Sequence, residues 1–248
     1  MRATTAQRWV QRWDAQQERY VPDREERFRV VIDVVRAVVG TEPARVVDLG
    51  CGPGSLSARL SDALPAAEIV GVDADPLLLG LGTANAGPRV RLVQTDLADP
   101  TWPERTGLDG PWDAAVSSTA LHWLTPDALA ALYRTLAQRL RPGGVFVNAD
   151  HLGLGTPAID AIADAVREHR TTRVGTHTNE DWAGWWQALQ QDEELAPLLE
   201  RRSADTIAHS GENGLTVVQH AQLLRDAGFA EAAPVWQFGD DHVLVGVR

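Results

Sequence analysis

Lysine is absent from this 248-residue chain. All 23 basic residues are therefore arginine, and against 34 acidic residues they leave a formal net charge of −11. An acidic chain with no basic run is a poor partner for nucleic-acid phosphates, so nonspecific nucleic-acid binding is set aside. Cysteine is nearly absent as well: Cys51 stands alone, which rules out a disulfide within the chain and agrees with a reducing compartment. No apolar run approaches the length of a membrane span, and residues 1–16 lack the apolar centre of a signal peptide. A cytoplasmic protein without a membrane role is the expectation.

What is present is an ordinary soluble composition, 44% hydrophobic and 23% charged, enough for one large α/β domain or a core with a smaller lobe. The chain is organised around Val46 to Ser57, VVDLGCGPGSLS. A β-branched pair leads to Asp48, then Gly50, Gly52 and Gly54 alternate with other residues before a helix-compatible run. Such a strand, turn and helix start lets a ligand lie against bare backbone and offers it the unpaired N–H groups of a helix N-terminus. Donors on one side and the Asp48 carboxylate on the other suit an amino-acid moiety better than a pyrophosphate. The dinucleotide fingerprint G-x-G-x-x-G places its third glycine one residue later, where Ser55 stands. Cys51, inside the turn, reads as a small packed residue rather than a nucleophile.

Along the chain, residues 5–20 form an aromatic helix with Trp9, Trp13 and Tyr20 near one side, and residues 24–39 a second helix with an apolar stripe. The first helix is either a lid over a ligand or static packing. After the glycine turn, a helix precedes a strand over 68–73 that ends on Asp73. Parallel nucleotide-binding sheets place a ribose-binding carboxylate there. Asp75 reads as a solvated neighbour. A strand over 90–94 leads to Asp96, an acceptor for an exocyclic amine, and Leu97, a cover for a purine face. Trp102 and Trp112 flank a Pro/Gly-rich connector expected on the surface. A strand over 113–117 opens into Ser118 to Trp123, and in an open parallel sheet ligands lie beyond such carboxyl ends, which places His122 and Trp123 at a site. A histidine there suits proton transfer.

A helix from Thr125 to about Leu140, a break at 142–144 and a strand over 145–149 follow, closed by Asp150 and His151. Two ligands without a third make a weak metal site, and no metal is expected. From 156 to 214 the strand–helix alternation stops. This stretch is helical in pattern and holds Arg173, His177, Trp182, Trp185, Trp186 and His209. Trp182 and Trp186, four apart, share one helix face; they either anchor the stretch to the sheet or wall a pocket. A helix over 216–227 and two strands, 231–238 and 242–247, joined by a Gly-Asp-Asp turn, end the chain as an antiparallel hairpin.

Together, DLGCGPG at 48–54, GVDADP at 71–76, TDL at 95–97, WDAAVSSTALHWL at 112–124, LRPGG at 140–144 and the AGF helix end resemble the class I S-adenosylmethionine-dependent methyltransferases. The His-Trp pair at 122 and 123 resembles a feature of the branch that includes trans-aconitate and malonyl-carrier methyltransferases, which act on small molecules or their carrier-bound forms. The resemblance to the class implies an α/β, Rossmann-like seven-stranded sheet of order 3-2-1-4-5-7-6 with strand 7 antiparallel, helices on both faces and a helical cap insertion. Residues 1–39 would be a helical lid, 40–155 with 215–248 the cofactor-binding core, and 156–214 the cap.

The same resemblance implies that S-adenosyl-L-methionine is the cofactor and S-adenosyl-L-homocysteine its product. Asp48, Gly50, Cys51, Gly52 and Gly54 would hold the methionine portion, Asp73 with Ala74 the ribose, Asp96 and Leu97 the adenine. Ser117 and Ser118 would border the methionine end, with Tyr20 of the lid also a cofactor contact. For a substrate the expected lining is Trp13, Arg24, Trp123, Arg173, Trp182 and Trp186, with Arg24 or Arg173 clamping a carboxylate bidentately or standing solvated. His122 or His151 would be the base. The expected activity is metal-independent, O- or C-directed methylation of a small molecule, such as a carboxylic acid or natural-product intermediate, by a monomer or homodimer. Two alternatives stay open: a non-methylating use of the same cofactor, and a non-catalytic binding subunit.

Overall fold

The computed structural model describes residues 1–85, 89–205 and 213–248, so His209 lies outside the described residues. Seven strands form one sheet: β1 (Arg45–Leu49), β2 (Glu68–Asp73), β3 (Val90–Gln94), β4 (Trp112–Ser118), β5 (Leu140–His151), β6 (Glu231–Phe238) and β7 (Asp241–Val247). Their order is β3-β2-β1-β4-β5-β7-β6, with β7 antiparallel to both neighbours and the remaining pairs parallel. The ten α-helices described are α1 (Ala3–Glu18), α2 (Arg24–Val39), α3 (Ser55–Ala63), α4 (Pro76–Asn85), α5 (Trp102–Arg105), α6 (Pro126–Arg139), α7 (Pro157–Val174), α8 (Trp182–Leu189), α9 (Ala196–Ala204) and α10 (Val217–Ala227).

The strands are apolar on both faces because both are covered, as parallel crossovers require. Alternate residues point to opposite sides. Val46, Val116, Val147 and Val245 meet α2 and α3, while Val47, Leu49, Ala115 and Phe146 meet α6 and α10. Each fully buried Val, Leu or Phe contributes about 1.5–3 kcal/mol. The bounding signals act as their chemistry dictates. Thr125 caps α6 by accepting from the Ala128 N–H at 3.3 Å, and Thr216 and Gln219 form a reciprocal capping box on α10.

Three local expectations are corrected. Trp102 and Trp112 do not flank a wholly exposed connector: both are buried, their ring centroids 5.6 Å apart, because α5 turns the segment back under the sheet. The Pro142-Gly143-Gly144 break does not delay β5, since Leu140 already pairs with Trp112 and the turn is absorbed as an irregularity in the ladder. Asp75 is not solvated; it is buried, accepts from the Leu77 N–H at 2.9 Å and receives Arg202 Nε at 2.7 Å.

A third apolar cluster lies away from the sheet and joins chain segments far apart in sequence. Trp9 and Trp13 of α1 pack with Leu77 and Leu81 of α4 and with Trp185 and Leu189 of α8. Polar contacts reinforce it: Trp9 Nε1 donates to Asp192 Oδ2 at 2.8 Å, and Arg12 Nη2 donates to Glu180 Oε1 at 2.6 Å. The aromatic stripe of α1 is thus packed against the 156–205 region while it also overhangs the sheet's carboxyl edge. None of the helices among the described residues is long and apolar enough to cross a membrane.

Candidate functional site

The carboxyl ends of β1 to β5 open on a cavity of about 490 Å³, roofed by α1, α8 and α9. Its floor is the turn after β1. Gly50 and Cys51 N–H groups donate to Val72 O at 2.8 and 3.0 Å, which ties the turn to β2. Gly50 has φ 66°, and a Cβ there would collide with the Ala120 Cβ, so only glycine fits. Gly52 lies on the cavity wall, and its N–H donates to Asp73 Oδ2 at 2.7 Å.

Two carboxylates stand at this floor. Asp48 is buried and accepts from Ser57 Oγ at 2.6 Å, and burial raises its pKa to about 7. Burial likewise raises Asp73 to about 6, against the N–H groups of Asp75 and Gly52 that favour its charged form. A pair of carboxylates kept uncomfortable by desolvation is relieved by a ligand that brings positive charge and hydrogen-bond donors. Burial pushes the Cys51 thiol well above its ordinary value, so Cys51 lines the site without being a nucleophile.

At the far end, β4 and β5 bring in histidines. His122 Nδ1 lies 2.8 Å from Asp150 Oδ1, and His151 Nδ1 lies 3.2 Å from Asp240 Oδ2. Burial alone would raise Asp150, but His122, His151 and Arg27 outweigh it and hold the carboxyl below its ordinary value. Thr119, between these strands, has φ 51°, an uncommon conformation for a β-branched residue. Arg27, fully buried, holds this corner: Nη1 donates to Asp241 Oδ1 at 2.6 Å and Nη2 to Ser118 Oγ at 2.9 Å.

The wall includes most residues expected from sequence. Besides the floor, Ala74, Asp96 and Leu97 line it from β2 and β3, as do Ser118, His122, Trp123 and His151 from β4 and β5, and Trp13, Tyr20, Arg24, Trp182 and Trp186 from the roof. Tyr20 Oη accepts from the Trp182 N–H at 3.0 Å, and Trp13 and Trp182 stand edge to face at 5.3 Å.

Three expected residues are elsewhere. Ser117 faces the opposite side of β4 from a cavity contact, buried and donating to Leu49 O at 2.8 Å, because neighbours on a strand alternate. Gly54 caps α3 with φ 78° and shapes the turn from behind. Arg173 is exposed on the last turn of α7, away from the wall. Arg24 is at the wall, not on a solvated helix face. Burial lowers its pKa, and Nη1 donates to Asp14 Oδ1 at 2.8 Å.

Sequence reasoning missed Asp14, Arg27, Arg202 and Asp240, and it weighed Asp150 only as a metal ligand, not as the partner of His122. A carboxylate beside the site on another strand leaves no local spacing signal. Asp150 alone had one, as the polar residue ending a buried apolar strand. Among the described residues no group of three or more His, Cys, Asp or Glu is placed to hold a metal ion.

A family described as "Methyltransferase domain" matches residues 46–144. A trans-aconitate 2-methyltransferase of Streptomyces avermitilis is 33% identical over 244 residues, covering 96% of this chain and 76% of that one. One from Azoarcus sp. is 38% identical over 133 residues, 54% of this chain and 48% of the relative. The chain spans about half the length of several curated relatives it matches. Among solved structures, an O-methyltransferase family protein from Burkholderia thailandensis superposes with a TM-score of 0.58 at 19% identity, covering 89% of this chain and 55% of that one. Magnesium protoporphyrin IX methyltransferase from Synechocystis does so at 0.53 and 17%, covering 91% and 83%. At those identities the likeness is one of fold.

Proposed function

Because the chain belongs to the S-adenosylmethionine-dependent methyltransferases, in the trans-aconitate branch, we propose that it transfers a methyl group from S-adenosyl-L-methionine to a small molecule held under α1 and α8. The observation that carries this reading is the floor of the cavity: a glycine turn pressed against Ala120, with the desolvated Asp48 and Asp73 on either side. That donor set fits the cofactor. The buried carboxylates suit a ligand with an ammonium and a sulfonium, and the bare Gly52 backbone leaves room beside them.

In this reading Asp48 and the turn from Gly50 to Gly52 hold the methionine portion, Asp73 and Ala74 the ribose, and Asp96 and Leu97 the adenine, with Tyr20 closing over them. When bound, the cofactor supplies a methyl group already activated on sulfur. The protein's work is then to align the acceptor, exclude water and take up a proton where the acceptor carries one; alignment alone is worth up to about 7–11 kcal/mol. Trp13, Trp123, Trp182 and Trp186 exclude water and position the acceptor. His122 or His151 takes the proton at Nε2, with Asp150 or Asp240 holding the ring through Nδ1. In this reading the part of 1–39 that acts as a lid is α1, because α2 packs on the sheet as part of the core, and 156–214 is a cap on the core of 40–155 and 215–248. The recessed, acid-lined cavity supports a small-molecule acceptor over a nucleic acid.

The test is incubation with S-adenosyl-L-methionine and candidate acceptors, with S-adenosyl-L-homocysteine and product mass as readouts. S-adenosyl-L-homocysteine paired with an acceptor one methyl heavier is the expected result. Cofactor consumption without a heavier product would point to the non-methylating alternative, and calorimetry showing no cofactor binding to the binding-subunit alternative.

A further inference from the structure

Behind the cavity, on the side of the sheet that meets α6 and α10, β5 carries polar residues inside an apolar layer. Phe146, Asn148 and Asp150 alternate onto one side of that strand, where Phe146 packs against Tyr133 of α6 with ring centroids 5.3 Å apart. Asn148 and Asp150 are fully buried. Groups of this kind cost stability in an apolar layer unless they are hydrogen-bonded.

His220 of α10 belongs to the same layer, because the Val217 N–H donates to Gly153 O at 2.9 Å and ties the start of α10 to the end of β5. Its Nδ1 lies 2.7 Å from Tyr133 Oη. Burial raises the Tyr133 phenol well above its ordinary value and lowers His220 to about 4, so both are neutral and the phenol can donate to Nδ1, which puts the ring proton on Nε2. The negative charge of Asp150 raises Tyr133 further and works against the fall of His220, so this carboxylate stands within electrostatic reach of each. Among the described residues, His220 Nε2, Asp150 Oδ2 and both amide atoms of Asn148 have no hydrogen-bond partner. The set is matched: two donors, His220 Nε2 and Asn148 Nδ2, and two acceptors, Asp150 Oδ2 and Asn148 Oδ1. Buried polar groups grouped in this way are ordinarily joined by an ordered water.

The other oxygen of Asp150 serves the cavity. Oδ1 accepts the His151 N–H at 3.0 Å and lies 2.8 Å from His122 Nδ1. Besides these two histidines, the charged and titratable groups around Asp150 are Arg27 of α2, Tyr133 of α6, His220 of α10 and His242, its partner across the ladder on β7. Arg27 is engaged by Asp241, His242 Nδ1 by Asp240 O at 2.9 Å, and His151 by the Asp240 carboxylate. His220 is left as the histidine whose remaining ring nitrogen can serve Asp150 Oδ2.

We propose that His220 and Tyr133 are positioning residues for His122: Tyr133 fixes the ring of His220, whose Nε2–H holds Asp150 Oδ2 through a buried water shared with Asn148, and Asp150 so held orients His122 at the cavity wall. The proposal rests on the methyl-transfer reading above, in which His122 faces the acceptor. The charge that His122 presents there, as a cation to a negative group or as a base to a proton, is then set by residues that no acceptor touches. Removing the donor behind Asp150 leaves its carboxylate more dependent on His122, which favours the imidazolium and raises the pH at which His122 titrates.

The test is an imidazole proton–nitrogen NMR titration, which needs neither cofactor nor acceptor; the His122 signals are identified by their loss in His122→Phe. In the unaltered protein His220 is expected to carry its proton on Nε2 at neutral pH. His220→Leu is expected to raise the His122 midpoint by at least about 0.5 pH unit, and Tyr133→Phe to move it the same way. His220→Gln, which keeps a donor at similar reach, is expected to restore the parental midpoint to within about 0.2 unit, a rescue that a merely structural role would not give. A proton on Nδ1 of His220, a midpoint unchanged or lowered in either His220→Leu or Tyr133→Phe, or a His220→Gln variant that titrates like His220→Leu overturns the proposal. Should His220→Leu fail to fold, Tyr133→Phe, which removes a single buried oxygen, decides. Failure of S-adenosyl-L-homocysteine to bind would instead overturn the methyl-transfer reading and leave the titration of His122 to be read as before.

Discussion

Arg27 and Asp241, 214 positions apart in sequence, meet at 2.6 Å with both side chains withdrawn from solvent. The pair joins α2 to the start of β7, and the same guanidinium reaches Ser118 beside the left-handed Thr119. Truncating one partner leaves a buried charge without its counter-ion, at about 3–5 kcal/mol. Arg27→Ala is therefore expected to lose that much stability in urea unfolding, whereas Arg27→Met combined with Asp241→Leu recovers most of it. A single variant as stable as the parent would refute the role of the pair.

Asp48 gives a pH signature. In the folded protein burial keeps its proton on up to about pH 7, whereas an unfolded chain releases it near pH 4. Between those values the folded state binds more protons, so the contribution of this group to stability falls as pH rises. Asp48→Asn should match the parent only below about pH 3.5 and exceed it by about 2–4 kcal/mol at pH 8, while losing affinity for S-adenosyl-L-homocysteine. Thermal unfolding across pH, with and without that ligand, checks both halves. A pH-independent difference would contradict the burial argument.

Gly50 tests the floor. Alanine there adds a Cβ against Ala120 and a side chain at φ 66°. Gly50→Ala is expected to cost about 1–3 kcal/mol and to weaken cofactor binding at least about tenfold. Calorimetry with S-adenosyl-L-homocysteine measures the second effect. Unchanged affinity would detach the turn from the cofactor.

His122 and His151 are separable by replacement with phenylalanine. The variant lacking the base should lose about 10²–10⁴-fold in kcat with an acceptor that carries a proton, and the other far less. Asp150→Asn should displace the pH profile of kcat if His122 is the base, because the carboxylate that sets its tautomer is gone. Full turnover by both phenylalanine variants across pH would remove histidine from the mechanism.

The roof is held across the chain by Asp192, which receives both Trp9 Nε1 and Arg8 Nη2, at 2.8 and 2.6 Å. Asp192→Ala is expected to cost about 1–2 kcal/mol and to raise hydrogen exchange in α1 and α8 together. Loosening of α1 alone would mean that the two segments move independently.

The sequence by itself determined the sheet and the floor of the site. Apolar runs placed β2, with its acidic end Asp73, and β3 at their observed residues, and the final Gly-Asp turn predicted the antiparallel β7. These features are local: strand periodicity, turn chemistry and a glycine that must bend the chain act within a few residues of one another. The tertiary structure alone decided the charge state and occupancy of the walls. Asp14 neutralises Arg24, Asp75 neutralises Arg202, and Asp150 and Asp240 stand behind the two histidines. Ser117 and Ser118 are neighbours in the chain, yet alternation on β4 gives one to the protein interior and the other to the cavity. Whether an arginine is available to a ligand depends on which carboxylate lies beside it, and folding brings that carboxylate from as far as 127 residues away.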